Sequence, residues 1–392
     1  MSLRTRTALV AAAGLLTSSL ALGAGAPPAD TAFDAAAAAR YAAAAARYLD
    51  ARMDIWWQKA KPLKTVGGET KCLSCHTALP YAMARPVLRR ALGEAAPTAH
   101  ETKILDTVRT RLSHLDDQQP FYDHTEAKKT ESRGVEAVMN AFLLTSHDGG
   151  STAAAPDAST RQALARLWQV QRADGAWDWL DFGLEPYEST DAVFHGATLA
   201  AMAAGSPAGR LASADAAGQA GADKLRGYLR AGLGSQRLFN RTWALLASSR
   251  LTGVVSPAAR DDIARALATA QRPDGGWSLA GLGDWHWSKS AAPFASPGQI
   301  DQAQLAASDG YATGLVVYAM KQAGLARHPS ATKGVAWLRA NQQAERVGDA
   351  AWAPWRAHSL NFDREHGGDK GEPWRRMFMS DLATAFAVLA LQ

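Results

Sequence analysis

The sequence QRADGAW at residues 171–177 returns one hundred positions later as QRPDGGW at residues 271–277. A third, stretched copy begins with KGVAWL at residues 333–338, continues to Gln342 and ends at Trp352. Each copy follows a segment with helical periodicity and precedes another such segment. Self-similarity of this kind is typical of a chain built from repeated helix pairs. The repeat therefore predicts the fold more directly than any other stretch.

Helical periodicity extends over almost the whole chain. Apolar residues recur at helical spacing from residue 33 onward, and hardly any segment alternates as a β-strand would. The predicted helices are 33–58, 74–92, 99–116, 131–146, 158–171, 188–204, 221–232, 237–250, 257–271, 309–323, 329–342 and 380–391. Twelve helices form six consecutive pairs, which predicts an all-α fold.

A small hydroxyl residue followed by an aspartate stands where a helix is predicted to begin after each repeat copy. The aspartates are Asp191, Asp309 and Asp381. A carboxylate at a helix N-terminus accepts hydrogen bonds from free amides and interacts favourably with the helix dipole. Capping is therefore the simplest interpretation of each aspartate, and an acid at a cavity mouth is the functional alternative.

The Q-x-x-x-G-x-W element, preceded in the third copy by K-G-x-x-W-L-x-x-x-Q, resembles the QW repeat of squalene–hopene cyclases and related prenyl-processing proteins. The motifs cover about residues 158–392, and the helix count extends the resemblance to residue 33. What the resemblance implies is an (α/α)6 toroid of six helical hairpins, with inner helices surrounded by outer ones. It also implies an apolar central cavity that opens where the inner helices begin.

The chain departs from this family in its chemistry. The cyclases protonate their substrate with a D-x-D-D segment, and no such segment occurs here. The nearest counterpart is ESTD at residues 188–191, in which Thr190 stands where the acid is expected. Related prenyltransferases bind zinc through Asp, Cys and His, and the chain has about half the length of a squalene cyclase. The resemblance therefore implies the fold more than the activity.

The chain has two cysteines, and both lie in KCLSCHTALP at residues 71–80, with His76 directly after Cys75. A disulfide between Cys72 and Cys75 would close only a very small loop. A structural zinc site needs two further ligands, and the sequence contains neither a second C-x-x-C nor an H-x-x-x-H. A redox dithiol of the thioredoxin type expects a βαβ context, whereas the flanking segments are predicted as helices.

The remaining interpretation of C-x-x-C-H is covalent attachment of one haem c. The thiols of Cys72 and Cys75 add to the haem vinyl groups, and His76 is the proximal ligand of the iron. The second axial ligand is left unassigned. Met83 follows on the same predicted helix, and the other candidates, on neighbouring elements, are Met53, His100, His114 and His124. A five-coordinate iron, open to a small ligand, is left as an alternative.

The N-terminus has the pattern of a secretory signal peptide at residues 1–26. Arg4 and Arg6 precede an apolar segment at residues 8–22, and Ala24-Gly25-Ala26 is a cleavage pattern. Export agrees with haem attachment of this type, which is completed outside the cytoplasm. We therefore expect a periplasmic or otherwise extracytoplasmic protein, soluble after signal cleavage, with residues 27–392 as a single toroid domain.

The charge composition argues against nucleic-acid binding. The chain has 42 Lys and Arg against 37 Asp and Glu, and basic residues occur only in short pairs. Nucleic-acid recognition relies on a basic stripe or patch. After the N-terminal segment no stretch is apolar enough to span a membrane, so we expect no transmembrane segment.

The pairing of helices places His76 at the start of the second helix, the inner helix of the first hairpin. The haem would then lie at the cavity mouth, facing Asp191, Asp309 and Asp381. His195 lies one turn inside Asp191, on the same face of its predicted helix. These three aspartates and His195 are therefore the candidate catalytic residues.

Two long predicted loops, residues 272–307 and 343–379, lie at the same end and are rich in aromatic residues. Loops of this length without secondary structure are often functional. Their aromatic residues either cover the haem or form a pocket for an apolar ligand. The residues are Trp277, Trp285, Trp287, Phe294, Trp352, Trp355, Phe362 and Trp374.

The leading hypothesis is an exported c-type haem protein with a redox role. It either transfers electrons, as a cytochrome c does with a redox partner protein, or carries out haem-dependent oxidoreductase chemistry on a hydrophobic, isoprenoid-like small molecule in the barrel. One alternative is a terpene cyclase or isomerase that uses Asp191 or Asp309 as general acid. Another is a non-catalytic haem sensor that binds a lipid or a partner protein.

Overall fold

In a computed structural model, the described residues are 29–73, 75–115, 117–148, 155–285, 302–344, 346, 352–361 and 373–392. The chain divides into two units, residues 1–38 and residues 39–392. The signal peptide predicted at residues 1–26 lies outside the described residues. In the first unit the described residues are 29–38, which are helical.

The described part of the chain is predominantly helical, which confirms the all-α prediction. The α-helices are α1 (Ala29–Lys59), α2 (Ala78–Ala91), α3 (Ala99–Leu112), α4 (Glu126–Asp148), α5 (Ala158–Gln169), α6 (Ala192–Ala204), α7 (Pro207–Ala212), α8 (Ala216–Gly232), α9 (Leu238–Ser248), α10 (Pro257–Ala270), α11 (Gln302–Ala306), α12 (Gly310–Gln322), α13 (Pro329–Ala340), α14 (Pro373–Arg376) and α15 (Phe378–Leu391). All twelve predicted helices are present within about five residues at each end. The short helices α7, α11 and α14 were not predicted, because six residues or fewer carry little periodicity.

A β-hairpin that the sequence did not predict precedes the C-x-x-C-H motif. Strands β1 (Pro62–Thr65) and β2 (Gly68–Lys71) pair antiparallel through a two-residue turn. Gly67 in that turn has a φ of +83°, a conformation that favours glycine. Four residues per strand are too few to show a period-two pattern, so the strands escaped prediction.

Six described helices contact one another in chain order. Helix α2 contacts α4, α4 contacts α6, α6 contacts α9, α9 contacts α12, and α12 contacts α15. Helix α15 also contacts α2, so the last of the six returns to the first. Helices α6, α12 and α15 are buried on nearly all sides, which agrees with their high content of apolar residues.

A second set of helices packs against these six. Helices α3 and α5 contact α4, α8 contacts α6, α10 contacts α9, and α13 contacts α12. They are amphipathic, as helices with one exposed face must be. In α10, for example, the buried residues are Ile263, Ala264 and Leu267. No described helix of either set is long and apolar enough to cross a membrane.

The first repeat copy forms a turn that fastens one helix of the second set to the next. Gln171 follows α5 and its Nε2 donates to the carbonyl oxygens of Gly175 and Gly221, both at 3.0 Å. The bond to Gly221 reaches α8. Trp177 is fully buried and its Nε1 donates to the carbonyl oxygen of Leu167 at 2.9 Å. The glutamine and the tryptophan therefore have separate structural roles.

The second copy repeats these contacts with its own residues. Gln271 Nε2 donates to the carbonyl oxygens of Gly275 at 2.8 Å and of Ser330, in α13, at 2.9 Å. Trp277 Nε1 donates to the carbonyl oxygen of Leu267 at 2.8 Å. The two copies are thus equivalent in structure as well as in sequence.

The third copy ends at Trp355, and the prediction that it ends at Trp352 is wrong. Trp355 Nε1 donates to the carbonyl oxygen of Leu338 at 2.9 Å, at the position equivalent to Leu167 and Leu267. A backbone bond also has its equivalent in every copy, since the amide of the residue after the glutamine donates to the carbonyl before the tryptophan. Trp352 Nε1 is buried without a partner among the described residues.

Candidate functional site

The C-x-x-C-H motif lies in the connection between strand β2 and helix α2. Cys72 directly follows β2, and Cys75 and His76 lie in the turn before α2 begins at Ala78. The prediction that His76 starts a helix is therefore corrected, because the hairpin ends only one residue before the motif. Both cysteines are free thiols, and Cys75 is buried.

Cys72, Cys75 and His76 line one cavity of about 500 Å³. Pockets that bind organic ligands or cofactors are typically about 300–1,000 Å³. Aromatic and aliphatic side chains form most of the wall, and three cationic residues and one carboxylate complete it. Besides the motif, the lining side chains that bear on function are Trp56, Lys59, Lys61, Phe121, Tyr122, Phe182, Glu188, Trp374, Arg375 and Phe378.

Aromatic rings hold the histidine of the motif against the cavity wall. The His76 ring stacks on Phe378, with centroids 3.7 Å apart and planes inclined by 18°. Trp56 meets the same histidine edge to face at 5.7 Å, and its Nε1 donates to the carbonyl oxygen of Cys72 at 3.0 Å. Trp374 contacts both Trp56 and Phe378. The motif is therefore positioned by rings from α1, α14 and α15.

A buried ion pair fixes the residue that follows the histidine. Thr77 Oγ1 donates to Asp381 Oδ2 at 2.8 Å. Asp381 Oδ1 also accepts from Arg52 Nε at 2.6 Å and from Tyr48 Oη at 2.7 Å. Asp381 is fully buried, and this burial raises its pKa while the Arg52 guanidinium opposes the rise. The predicted N-cap role of Asp381 is wrong, because its carboxylate bonds to side chains of other segments.

The two thiols are held in their neutral form. Burial raises the pKa of Cys72 to about 12 and that of Cys75 well above its ordinary value, and the nearby Glu188 carboxylate adds to both shifts. Nucleophilic and metal-binding cysteines act as thiolates, so this environment does not suit a reactive dithiol. Among the described residues, no three His, Cys, Asp or Glu side chains are grouped so as to hold a metal ion.

Asp191 does not share this cavity. Its side chain is 46% exposed and forms an ion pair with Arg237 Nη2 at 2.8 Å. It lines a different groove, at the start of α9, and makes no side-chain capping bond to α6. The capping prediction for Asp191 is therefore wrong, and its contacts are those of a partly exposed ion pair.

Asp309 caps α12, as predicted. Its carboxylate accepts the amide of Ala312 at 2.8 Å and that of Leu279 at 2.6 Å. Burial raises its pKa to about 6, although the amide hydrogen bonds favour the charged form. Asp309 does not line the cavity of the C-x-x-C-H motif. Its hydrogen bonds connect α12 to the turn of the second repeat copy.

His195 lies in an aromatic cluster formed by α6, α9, α12, α15 and the loop before α6. Both of its ring nitrogens are buried without a hydrogen-bond partner among the described residues. Burial lowers its pKa to about 3, so the ring is neutral. The other members of the cluster are buried as well, and they are Trp179, Tyr187, Phe239, Trp243, Tyr311 and Phe386.

None of the residues considered as a second axial ligand is among the described residues that line the motif cavity. His100 bonds elsewhere, since its Nδ1 accepts from Trp57 Nε1 at 3.2 Å and its Nε2 lies 3.3 Å from Asp54 Oδ1. Met53 is fully buried in the core, and Met83 is partly buried against it. The polar side chains that share the cavity with the motif are Lys59, Lys61, Tyr122, Glu188 and Arg375.

Most of the cavity wall was not recognised from the sequence. Of the eight loop aromatics, Trp374 lines the cavity, whereas Trp277, Trp352 and Trp355 are buried in the core and Trp285 contacts Phe239. Those that lie outside the described residues are Trp287, Phe294 and Phe362. The wall residue Phe121 comes from the segment before α4, whereas Phe182 and Glu188 come from one loop before α6.

No protein-family model matches this chain. The search of curated proteins gave no match either. The functional assignment therefore depends on the residues and geometry of the site.

Proposed function

We propose that this chain is an exported c-type haem protein that transfers electrons. One observation carries the proposal: both thiols and the histidine of a C-x-x-C-H motif line the same cavity of about 500 Å³. Haem attachment requires these three side chains to reach one ligand. Thiols and an imidazole that lined no common cavity could not meet this requirement.

The residues present fit a covalently bound haem. Each thiol would add its sulfur and its hydrogen across one vinyl group, which requires reduced cysteines, and both are free here. His76 would be the proximal ligand. Lys59, Lys61 and Arg375 line the cavity, and their cationic groups match the two carboxylates that a haem carries. Bound in this way, the group would supply a one-electron couple.

The wall of the cavity suits a redox centre. Trp56, Phe121, Phe182 and Phe378 present apolar surface to the cavity. Low solvent access and a low local dielectric are among the means by which proteins set the potential of a haem. The stacking of Phe378 on His76 also fixes the orientation of the imidazole. These side chains exclude water and hold the histidine in one orientation.

Electron transfer is supported over chemistry on a molecule held between the helices. His195, Trp243 and Tyr311 occupy the aromatic cluster on α6, α9 and α12 and are almost completely buried. Tyr187 and Tyr311 also share a hydrogen bond there. Described side chains are thus packed together in the region in which the family resemblance implies a substrate cavity, and none of these four residues lines the motif cavity.

The helix contacts support an (α/α)6 toroid as the frame of the site. In this interpretation α2, α4, α6, α9, α12 and α15 are the inner helices, and their chain-order contacts return from α15 to α2. Helices α5, α8, α10 and α13 then belong to the outer set. The equivalent hydrogen bonds of Trp177, Trp277 and Trp355 support the resemblance to the QW repeat.

Export to the periplasm belongs to the same proposal. The signal sequence predicted at residues 1–26 and the chemistry of C-x-x-C-H both point to an extracytoplasmic protein. A soluble redox partner protein would then receive or supply the electron.

A visible spectrum of the purified full-length protein tests the proposal. The protein is produced with its leader in a host that matures c-type cytochromes, and its spectrum is recorded reduced, with and without CO. We expect a haem that stays with the protein after acid–acetone extraction, because thioether bonds survive it. The Cys72→Ala/Cys75→Ala variant should lose the covalent haem, whereas a His124→Ala variant, changed at an exposed histidine, should keep it. Absence of covalently bound haem from the wild-type protein would overturn the proposal.

A further inference from the structure

Glu188 is the only carboxylate among the described residues that line the motif cavity. Phe182 and Leu184, from the same loop, also line this cavity. The cationic lining residues are Lys59, Lys61 and Arg375. A single negative charge in an otherwise cationic and aromatic cavity is an exception that the attachment of haem does not itself require.

The backbone around Glu188 is held firmly. Its amide donates to the carbonyl oxygen of Leu184 at 2.8 Å, and its carbonyl oxygen accepts from the amides of Leu184 and Phe182 at 2.9 and 2.8 Å. Leu184 and Glu188 thus form an antiparallel bridge that closes a short loop. These bonds fix the backbone of a residue that lines the cavity.

The same loop is fastened to a distant part of the chain. The amide of Glu185 donates to Asn361 Oδ1 at 3.0 Å, and Asn361 Nδ2 donates back to the carbonyl oxygen of Glu185 at 2.5 Å. Arg237 Nη1 and Ser189 Oγ bond to the Glu185 carboxylate at 2.7 and 2.8 Å. Two neighbouring acidic residues therefore have different tasks: Glu185 anchors the loop, and Glu188 faces the cavity.

We propose that Glu188 acts on the redox site through its negative charge, which lowers the reduction potential of the iron. The inference rests on the haem site proposed above. A nearby negative charge stabilises the oxidised iron, which carries one more positive charge than the reduced iron. Inside an aromatic wall this interaction is screened less than it would be in water.

The test is a potentiometric titration of the covalently loaded protein at one fixed pH. Glu188→Gln and Glu188→Thr both remove the charge, and threonine suits the extended backbone of the bridge. Both variants should have a higher midpoint potential than the wild type. Glu188→Asp retains the charge and should stay close to the wild-type value. The matched control is Glu126→Gln, which neutralises a carboxylate that is 88% exposed on α4 and should leave the potential unchanged.

The outcomes separate this inference from the proposed function. Wild-type protein without covalent haem overturns both. Loaded neutral variants with an unchanged or lower potential overturn the role of Glu188 alone, as does an equal rise in Glu188→Asp or Glu126→Gln. If both neutral variants lose haem while Glu188→Asp keeps it, the carboxylate serves assembly of the site, and its assignment to the potential is overturned.

Discussion

Thr77 and Asp381 are hydrogen-bonded at 2.8 Å although 304 positions separate them in the chain. Thr77 directly follows the histidine of C-x-x-C-H, and Asp381 lies in the first turn of the last helix. Asp381 is paired with Arg52 of the first helix in a fully buried setting. The motif is therefore fastened to both ends of the second unit by one carboxylate. Of the aspartates considered from the sequence, Asp381 is the one that bonds directly to the motif segment.

The Asp381→Ala variant should be strongly destabilised. Removing the carboxylate leaves the Arg52 charge buried without its partner, and losses of about 3–5 kcal/mol are typical of such changes. Urea denaturation of the full chain measures the free energy of unfolding. Asp191→Ala is the control, because its ion pair with Arg237 is partly exposed and such pairs contribute at most about 1 kcal/mol. Equal small losses in the two variants would contradict the role given to Asp381.

The three repeat copies make a second prediction, about their tryptophans. Trp355→Phe removes an indole donor and leaves the buried carbonyl oxygen of Leu338 unpaired, which should cost about 1–3 kcal/mol. Trp352→Phe removes an indole nitrogen that has no partner among the described residues. Its loss should be smaller, because only packing changes. Midpoints of urea denaturation compare the two, and a larger loss at Trp352 would reject the assignment of the third copy to Trp355.

This third copy also shows how far the sequence could predict the fold. The first two copies have the same spacing, so the glutamine and tryptophan positions were readable. In the third copy the turn is longer, and two tryptophans, Trp352 and Trp355, compete for one position. Trp355 is identified as the equivalent residue by its hydrogen bond to the carbonyl oxygen of Leu338, a contact between residues 17 positions apart. A spacing pattern carries no information about that contact.

The site divides in the same way. Cys72, Cys75 and His76 lie within five consecutive residues, so a local sequence motif was sufficient to single them out. Phe121, Glu188 and the other wall residues are brought together only by the packing of distant segments. The β-hairpin before Cys72 is too short to show periodicity, so the motif was placed on a helix when it lies in a turn. What remained hidden depends on tertiary contacts.

His195 predicts a specific dependence of stability on pH. Burial lowers its pKa to about 3, whereas an unperturbed histidine titrates near 6.5. Between these values the unfolded chain binds a proton that the folded chain does not. Stability should therefore fall as the pH drops below about 6.5, by up to about 1.4 kcal/mol per pH unit from this residue.

The His195→Leu variant removes that contribution. As the pH falls from 6.5 to 4, the free energy of unfolding of the wild type should decrease more than that of His195→Leu. His124→Leu is the control, since His124 is exposed and its replacement should leave the wild-type slope in place. A difference between wild type and His195→Leu that is constant over this pH range would contradict the lowered pKa of His195, because it requires the same pKa in the folded and unfolded chains.

The thiols of the haem-free protein distinguish a haem site from a redox dithiol. Burial raises the pKa of Cys72 to about 12 and raises that of Cys75 as well, so both remain neutral at pH 8.5, where an ordinary thiol is about half ionised. Iodoacetamide reacts with thiolates, and we expect native protein to react slower than urea-unfolded protein by a factor on the order of 100. The variants Cys72→Ala and Cys75→Ala assign the rate to each sulfur.

The raised pKa of the two thiols should also make the stability of the haem-free protein depend on pH. A thiol whose pKa is raised on folding holds its proton in the native state at a pH where the unfolded state has lost it. The free energy of unfolding of the haem-free protein should therefore fall as the pH rises above about 8.5, and less so in Cys72→Ala/Cys75→Ala. A native protein that reacts rapidly at pH 7, with no such loss at high pH, would have low-pKa thiolates. That result would favour a redox dithiol over haem attachment, because thiolates stabilised at neutral pH are the property that dithiol exchange requires.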